Sequence, residues 1–275
     1  NAMQSFSASA KAEICREYPQ DGCCALAECF GILLFCNCFQ DSLIKIITES
    51  QDFAKLLPKL FRKAFGVSFD TLPGEETKGK LVFQITDRQK IAAIMESFGF
   101  ALKDTLALHI NLPVVEEDCC KAAFLRGAFL AGGSVTDPEK RYHLEIATNH
   151  SQASREVSTL MEEMFFVPRT VQRGGDFLLY FKQSEHTEDF LTKIGAPASA
   201  MDIMTAKVDK EIRNGANRAM NCDMANVNKT LDAVAAQQEA IKKLESAGQL
   251  DKLPENAHIA GAGLVESQRI TDTLE

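Results

Sequence analysis

The chain carries one hydrophobic pattern twice, at a constant spacing of 96 residues. Residues 23–38 (CCALAECFGILLFCNC) match residues 119–134 (CCKAAFLRGAFLAGGS), and residues 79–86 match residues 175–182 at the same spacing. Several anchors that recur in the same order indicate an internal repeat. The pattern therefore predicts two copies of one structural unit.

Both copies show the same order of predicted elements. An apolar helix (21–35 and 117–131) is followed by a hairpin, an amphipathic helix, a second hairpin and a closing helix. Each copy is thus predicted to be an αββαββα unit. The first copy has predicted strands at 37–40, 42–48, 67–71 and 80–86 and helices at 52–66 and 87–98, and the second has strands at 133–136, 142–148, 169–172 and 177–182 and helices at 154–166 and 185–194.

Small residues occur at matching places in the two apolar helices. Gly31 of the first aligns with Gly127 of the second, which also carries Ala131 and is followed by Gly133. Small side chains on a helix face let another backbone approach closely. We therefore expect the two helices to pack together on a pseudo-two-fold axis, in an α+β domain of duplicated αββαββα units.

The character of the sequence changes near residue 200. The following stretch has no strand signal and is rich in Ala, Asn, Lys and Gln, which predicts one or two long, exposed helices. The predicted domains are a first repeat at 4–105, a second at 106–200, a helical linker at 201–249 and the start of a further C-terminal region at 250–275.

Composition and charge narrow the function classes. The net charge of −8 argues against a uniformly basic nucleic-acid binder, although a local basic face remains compatible with it. Glu28 interrupts the most apolar run, so no stretch is long enough to span a bilayer. With no signal-peptide pattern either, we expect a cytoplasmic protein without membrane contact.

Nine cysteines are present, most of them inside apolar runs where a free Cys acts as a small hydrophobe. The alternative is a zinc site that joins Cys36 and Cys38 to Cys23 and Cys24. No second CxxC and no spaced His pair accompanies these residues. We therefore predict no metal site and no cofactor.

The second apolar helix resembles the signature helix of the LAGLIDADG homing endonucleases. The motif's Leu, first Gly, Ala, last Gly and Ser correspond to Leu125, Gly127, Ala131, Gly133 and Ser134. The resemblance implies the LAGLIDADG fold, in which acidic residues at the ends of the two helices hold divalent metal against the scissile phosphates.

The acidic positions of that motif are lost in this chain. They correspond to Cys36 in the first copy and Gly132 in the second, and neither residue can bind Mg²⁺. Asp41 and Asp137 lie nearby, in predicted hairpin turns where Asp is a routine turn residue. We therefore expect no catalytic residues and no enzyme activity. The alternative is a metal-dependent DNA endonuclease that uses these two aspartates as substitute acids.

Three stretches resemble the WhiA family of bacterial sporulation and cell-division regulators, in which an endonuclease-like domain precedes a helix-turn-helix. They are residues 5–14, 125–135 and 213–241, and residues 250–256 resemble the start of the helix-turn-helix. The resemblance implies a nucleoid-associated, DNA-binding transcription regulator of sporulation, cell division and chromosome segregation. Residues 257–275 depart from the family pattern, so we expect the main DNA-reading domain to be incomplete here.

The outward faces of the predicted strands offer candidate DNA contacts on the repeats. In FLLYFK (177–182) alternate residues face inward, which leaves Tyr180 and Lys182 outward. Glu145 lies on the same polar face, so a solvated sheet of mixed charge is the competing interpretation. The full candidate set is Lys80, Gln84, Arg141, Arg169, Arg173, Tyr180 and Lys182.

The predicted linker carries a second candidate set. Its Asn and basic residues suit DNA or protein contacts, and they equally suit helix caps and interdomain hydrogen bonds. A protein partner on the repeats is compatible with the pattern, as is a protein- or ligand-binding sensor without DNA contact. The linker residues are Asn217, Arg218, Asn221, Asn226 and Lys229.

Overall fold

The computed structural model describes residues 5–74, 77, 79–100 and 108–249. The chain divides into two units, residues 1–208 and 209–275, and all the described strands lie in the first. None of the described helices is both long and apolar enough to cross a membrane. The helices are α1 (Phe6–Ile14), α2 (Gly22–Phe35), α3 (Gln51–Phe65), α4 (Arg88–Ser97), α5 (Asp118–Gly132), α6 (Ser151–Glu163), α7 (Ser184–Ile194) and α8 (Pro197–Ser246); the strands are β1 (Cys38–Phe39), β2 (Ile44–Thr48), β3 (Leu81–Ile85), β4 (Gly133–Val135), β5 (Leu144–Thr148), β6 (Arg169–Arg173) and β7 (Asp176–Phe181).

The predicted duplication is confirmed. The first copy runs from α2 to α4 and the second from α5 to α7, with antiparallel strands in the orders β1-β2-β3 and β4-β5-β7-β6. Burial alternates along β2, β3 and β5, as expected for strands with one face on the core and one face outward. Helix α3 continues through Pro58, beginning at the Ser50 cap and ending at Gly66, whose φ is +70°.

Helices α2 and α5 touch backbone to backbone, as the paired glycines predicted. A Cβ atom at Gly31 would lie 2.0 Å from the carbonyl oxygen of Phe124. A Cβ atom at Gly127 would lie 2.0 Å from the carbonyl oxygen of Glu28. The two contacts are equivalent because the repeat spacing relates Glu28 to Phe124 and Gly31 to Gly127. The two helices therefore cross on a pseudo-two-fold axis, and they come so close that only glycine fits at the crossing.

One pair of ionisable side chains lies inside this helix contact. Glu28 is fully buried, and its Oε2 lies 3.6 Å from Nη1 of Arg126 on α5. Arg126 also donates from Nε to the carbonyl of Ile194 at 2.9 Å. Neither carboxylate oxygen of Glu28 has a hydrogen-bond partner among the described residues. Burial raises the pKa of the Glu28 carboxyl to about 7, and Arg126 opposes a larger rise.

The prediction of a strand at 67–71 is wrong. Only Thr71 forms a bridge to Gln84, so the described part of the first sheet has three strands where the second has four. The reason lies in Asp70, whose Oδ2 accepts hydrogen bonds from the amides of Thr86 at 2.7 Å and Asp87 at 2.9 Å. The side chain thus satisfies amides at the end of β3. The backbone amides of Asp70 and Thr71 both donate to the carbonyl of Gln84, at 2.9 and 3.1 Å, and the pairing stops there.

Helix α8 fills the region predicted as one or two exposed helices. Within the first unit it buries Ser199, Ala200, Ile203 and Ala206. Within the second unit its described residues are largely exposed. The predicted region at 250–275 lies outside the described residues. Helix α1 has no counterpart among the predicted elements, and its first turn is capped by Ser5.

Candidate functional site

The carboxyl ends of α2 and α5 meet where a LAGLIDADG nuclease would hold its metal. Gly132 ends α5 against α2, and a Cβ atom there would lie 3.2 Å from Cβ of Phe35. The same atom would lie 2.4 Å from the carbonyl oxygen of Ala147. An acidic side chain has no room at this position without a shift of the backbone. The packing around Gly132 therefore has no space for the acidic residue that the sequence also lacks.

Cys36, the matching position of the first copy, is turned into the protein. Its thiol donates toward the carbonyl oxygens of Leu33 and Cys38, both at 3.2 Å. Burial raises the pKa of the Cys36 thiol to about 12, so it stays protonated at neutral pH. A buried, protonated thiol offers no ligand to a hard cation such as Mg²⁺.

Hydrogen-bond donors, rather than carboxylates, lie at the carboxyl ends of α2 and α5. The carbonyl of Leu34 on α2 accepts from Oγ1 of Thr148 at 2.6 Å, and that of Leu130 on α5 accepts from Nζ of Lys11 at 3.1 Å. Leu34 and Leu130 are equivalent in the repeat, so each half satisfies the same orphan carbonyl with a different donor. Burial lowers the pKa of Lys11 to about 8. The sequence patterns did not single out either donor.

The two candidate substitute acids lie in turns. Asp137 accepts from the amide of Glu139 at 2.9 Å, an ordinary Asx turn, and Asp41 is exposed between β1 and β2. In the described part of the chain, neither belongs to a group of three or more side chains placed to bind one metal ion. The structure thus places both aspartates in connections between strands.

The alternative zinc grouping from the sequence is also not formed. Cys23 and Cys24 lie at the amino end of α2, whereas Cys36 and Cys38 follow its carboxyl end. A helix rises 1.5 Å per residue, so the two pairs are about 20 Å apart.

Most of the candidate DNA contacts on the second repeat form one outward row, whereas Arg141 is exposed in the connection before β5. Tyr180 on β7 pairs with Arg169 on β6 and with Glu145 on β5, and Glu145 pairs with Ser134 on β4. Register partners project from the same face of a sheet. Arg173 shares that face because it is two and four residues along β6 from Val171 and Arg169.

Both signs of charge lie on this face, because Asp176 is the register partner of Arg173 and Glu145 is that of Tyr180. Glu145 is held by Nε2 of His143 at 2.9 Å and accepts from Oγ of Ser134 at 3.5 Å. Lys182 lies over the Tyr180 ring, 5.3 Å from its centroid. Among the described residues, no carboxylate lies within ion-pair distance of the basic candidates on the two sheets, which are Lys80, Arg141, Arg169, Arg173 and Lys182.

The first repeat presents a shorter version of the same row. Gln84 on β3 pairs with Lys45 on β2, which pairs with Cys38 on β1. Gln84 and Cys38 correspond to Tyr180 and Ser134 at the repeat spacing. Lys80 is exposed just before β3, and Lys45 is a basic residue of this row that the sequence patterns did not single out.

Ala131 and Gly133 are the remaining small residues predicted to pack the axial helices α2 and α5. Ala131 is half-buried beside the core, and a Cβ atom at Gly133 would lie 2.6 Å from the carbonyl oxygen of Phe129.

The linker candidates are exposed on α8, where residues three or four apart share a face. At about 100° of rotation per residue, Arg218 and Lys229 lie along one line of the helix. Asn221 and Asn226 lie on either side of that line, and Asn217 lies further round the helix.

Comparison with known proteins identifies similar chains. The family model of the WhiA LAGLIDADG-like domain matches residues 121–213, and that of the WhiA C-terminal helix-turn-helix domain matches residues 216–265. The "probable cell division protein WhiA" of Ruminiclostridium cellulolyticum is 35% identical over 260 residues, which cover 92% of this chain and 83% of that protein. The protein of the same name from Alkaliphilus oremlandii is 33% identical over 266 residues, with the same coverage of 92% and 83%.

Two solved structures share the fold. Full-length WhiA from Thermotoga maritima is 21% identical, with a TM-score of 0.64 over 94% of this chain and 85% of that chain. The N-terminal LAGLIDADG domain of WhiA is 18% identical, with a TM-score of 0.53 over 70% of this chain and 94% of that chain. The helix-turn-helix match begins inside the predicted linker, so all five linker candidates lie within it.

Proposed function

This chain belongs to the WhiA family, and from that premise we propose that it is a DNA-binding regulator of transcription without nuclease activity. Its processes would be sporulation, cell division and chromosome segregation, and its place would be the nucleoid. The observation that carries the proposal is the helix-turn-helix match at 216–265, because such a domain reads base edges with a helix in the major groove.

The exposed linker candidates on α8 support a DNA contact by this region. Arg218 and Lys229 supply positive charge for phosphates, and the asparagine amides between them can donate to phosphates or base edges. We propose Asn217, Arg218, Asn221, Asn226 and Lys229 as contacts of this kind. They lie within the family model for the DNA-binding domain and are exposed on the helix.

The duplicated domain takes a supporting part in this proposal. Its outward basic residues on β6 and directly after β7 suit weak, sequence-independent contact with phosphates, and the same surface suits a protein partner. The central Glu145 keeps the face from being strongly cationic, in line with the acidic total charge. Sequence-specific reading is therefore assigned to the helix-turn-helix and shape-based contact to the sheets.

Neutralising the basic face should reduce the salt dependence of DNA binding. We expect the triple variant Arg169→Gln, Arg173→Gln, Lys182→Gln to bind a labelled random-sequence duplex about tenfold more weakly at low salt. Its plot of log affinity against log salt should lose a slope of about 3, because each phosphate contact contributes about 0.9. Fluorescence anisotropy over a salt series measures both values.

A matched control removes three exposed charges from the helices that cover the other side of the sheets. The variant Arg88→Gln, Arg155→Gln, Lys193→Gln changes the net charge equally and should leave the slope unchanged. Equal affinity and slope in the two triple variants would contradict the sheet contact. If Arg218→Gln with Lys229→Gln also leaves binding unchanged, the proposed DNA contact by α8 is wrong.

The absence of nuclease activity is tested directly on DNA. We expect no cleavage of supercoiled plasmid with Mg²⁺ or Mn²⁺, because Gly132 and Cys36 supply no carboxylate at the helix ends. The substitution Gly132→Asp should not create activity, since its Cβ would collide with the Ala147 carbonyl. Metal-dependent cutting that disappears in Asp41→Asn or Asp137→Asn would overturn the proposal.

A further inference from the structure

Four cysteines meet at the amino ends of the two axial helices, at the other end of α2 and α5 from the lost nuclease centre. Cys23 and Cys24 begin α2, and Cys119 and Cys120 begin α5. Their four Sγ atoms all lie within 4.8 Å of one another, and those of Cys119 and Cys120 are 4.0 Å apart. In the described part of the chain, this is the one group of three or more side chains placed to share a metal ion.

The pseudo-two-fold axis explains why the four side chains converge. The two cysteines of each pair precede the crossing glycine by eight and seven residues, about two helical turns. The glycine crossing fixes the two helices in close contact, and their amino ends lie side by side as their carboxyl ends do. Symmetry therefore brings equivalent residues of the two copies together, as it brought the acids of a nuclease together at the opposite end.

The spacing of the sulfur atoms suits a single ion. Zinc bound tetrahedrally by four thiolates has Zn–S bonds of about 2.3 Å, which puts its sulfur atoms roughly 3.8 Å apart. The observed separations come within about 1 Å of that value. A disulfide would use only two of the four sulfurs, and it would need an oxidising environment to persist.

The electrostatic setting also favours a thiolate complex. Four thiolates around a divalent ion leave two negative charges, and the amino ends of two helices carry the partial positive charge that stabilises them. Cys23 and Cys119 are exposed, which gives an ion a path to the group.

We propose that Cys23, Cys24, Cys119 and Cys120 bind one zinc ion on the pseudo-two-fold axis, where it joins the two repeats. The ion is structural, because four protein ligands leave no open position for a substrate or water. This site is independent of the proposed regulatory function.

Metal content and cobalt spectroscopy test the proposal on the full chain. Protein purified under reducing conditions should contain about one zinc per chain by elemental mass spectrometry. After exchange, Co²⁺ should give the visible absorption of a tetrahedral complex together with an intense thiolate-to-cobalt charge-transfer band. A strong chelator should lower the thermal midpoint of the protein.

The variant Cys23→Ser with Cys119→Ser removes one ligand from each repeat at exposed positions, so the fold should persist by circular dichroism. We expect its zinc content to fall close to zero and the chelator shift to vanish, while the single variant Cys23→Ser should bind Co²⁺ with an altered spectrum. Cys222→Ser, on an exposed cysteine of α8, should match the unmodified protein. Metal-free protein that also fails to bind Co²⁺, disulfides found in place of free thiols, or full zinc content in the double variant would each overturn the proposal.

Discussion

Alanine in place of Gly31 or Gly127 is expected to destabilise the duplicated domain by about 3–5 kcal/mol. Each new Cβ atom would lie 2.0 Å from a carbonyl oxygen of the facing helix. The obstacle is backbone in the middle of a helix, which cannot move aside as a side chain can. The two helices must therefore separate along their whole contact, and the loss approaches the total stability of a typical domain. Urea denaturation followed by circular dichroism measures the free energy of unfolding.

Gly22→Ala is the matched control for this prediction. Gly22 lies on the same helix, and no atom lies within 4 Å of the Cβ position it would gain. Alanine there should be neutral or slightly stabilising, because Ala favours a helix by up to about 1 kcal/mol over Gly. Unfolding free energies of Gly31→Ala and Gly22→Ala that agree within about 0.5 kcal/mol would show that the helices are not in backbone contact.

Glu28→Gln is expected to remove a pH-dependent loss of stability near neutrality. The folded protein holds the proton on Glu28 up to a pKa of about 7, whereas the unfolded chain releases it near the ordinary value of 4.5. Between these values the folded state binds more protons, so stability from this group falls as the pH rises through the window. The difference amounts to roughly 3 kcal/mol for a group that is fully buried.

The measurement compares unfolding free energies of the two proteins from pH 5 to pH 8. Glutamine keeps the shape of the protonated acid, so the variant should gain roughly 3 kcal/mol relative to the unmodified protein across that range. Glu17→Gln is the control, because Glu17 is an exposed carboxylate 3.9 Å from the same Arg126. Parallel pH profiles for the Glu28→Gln variant and the unmodified protein would contradict the prediction.

The architecture could be predicted because its strongest constraints are periodic in the sequence. The glycine crossing requires small residues at equivalent places, and those places recur at the repeat spacing. Strands with one buried face show alternating residues, so β2, β5 and β7 fall close to their predicted bounds. No strand forms at 67–71, where the side chain of Asp70 accepts hydrogen bonds from the amides of Thr86 and Asp87. The alternation of apolar and polar residues carries no information about such side-chain hydrogen bonds.

The polar parts of the site could not be predicted in the same way. Glu28 looks like an interruption of an apolar run, and its partner Arg126 is far away in sequence and off the repeat spacing. Lys11 reaches Leu130 from α1, a helix whose mixture of small and polar residues shows no clear amphipathic pattern. The cysteine group is different, because the repeat aligns Cys23 and Cys24 with Cys119 and Cys120. Combining that alignment with the predicted axis would have found it.

The buried Glu28–Arg126 pair makes the two halves complementary, so that neither half can take the place of the other. The first half carries Phe30 where the second carries Arg126, and the second carries Phe124 where the first carries Glu28. Two first halves would face each other with two carboxylates and no guanidinium, and two second halves would enclose two unpaired guanidinium groups. Severed into separate polypeptides, the halves would thus reassemble only as a heterodimer.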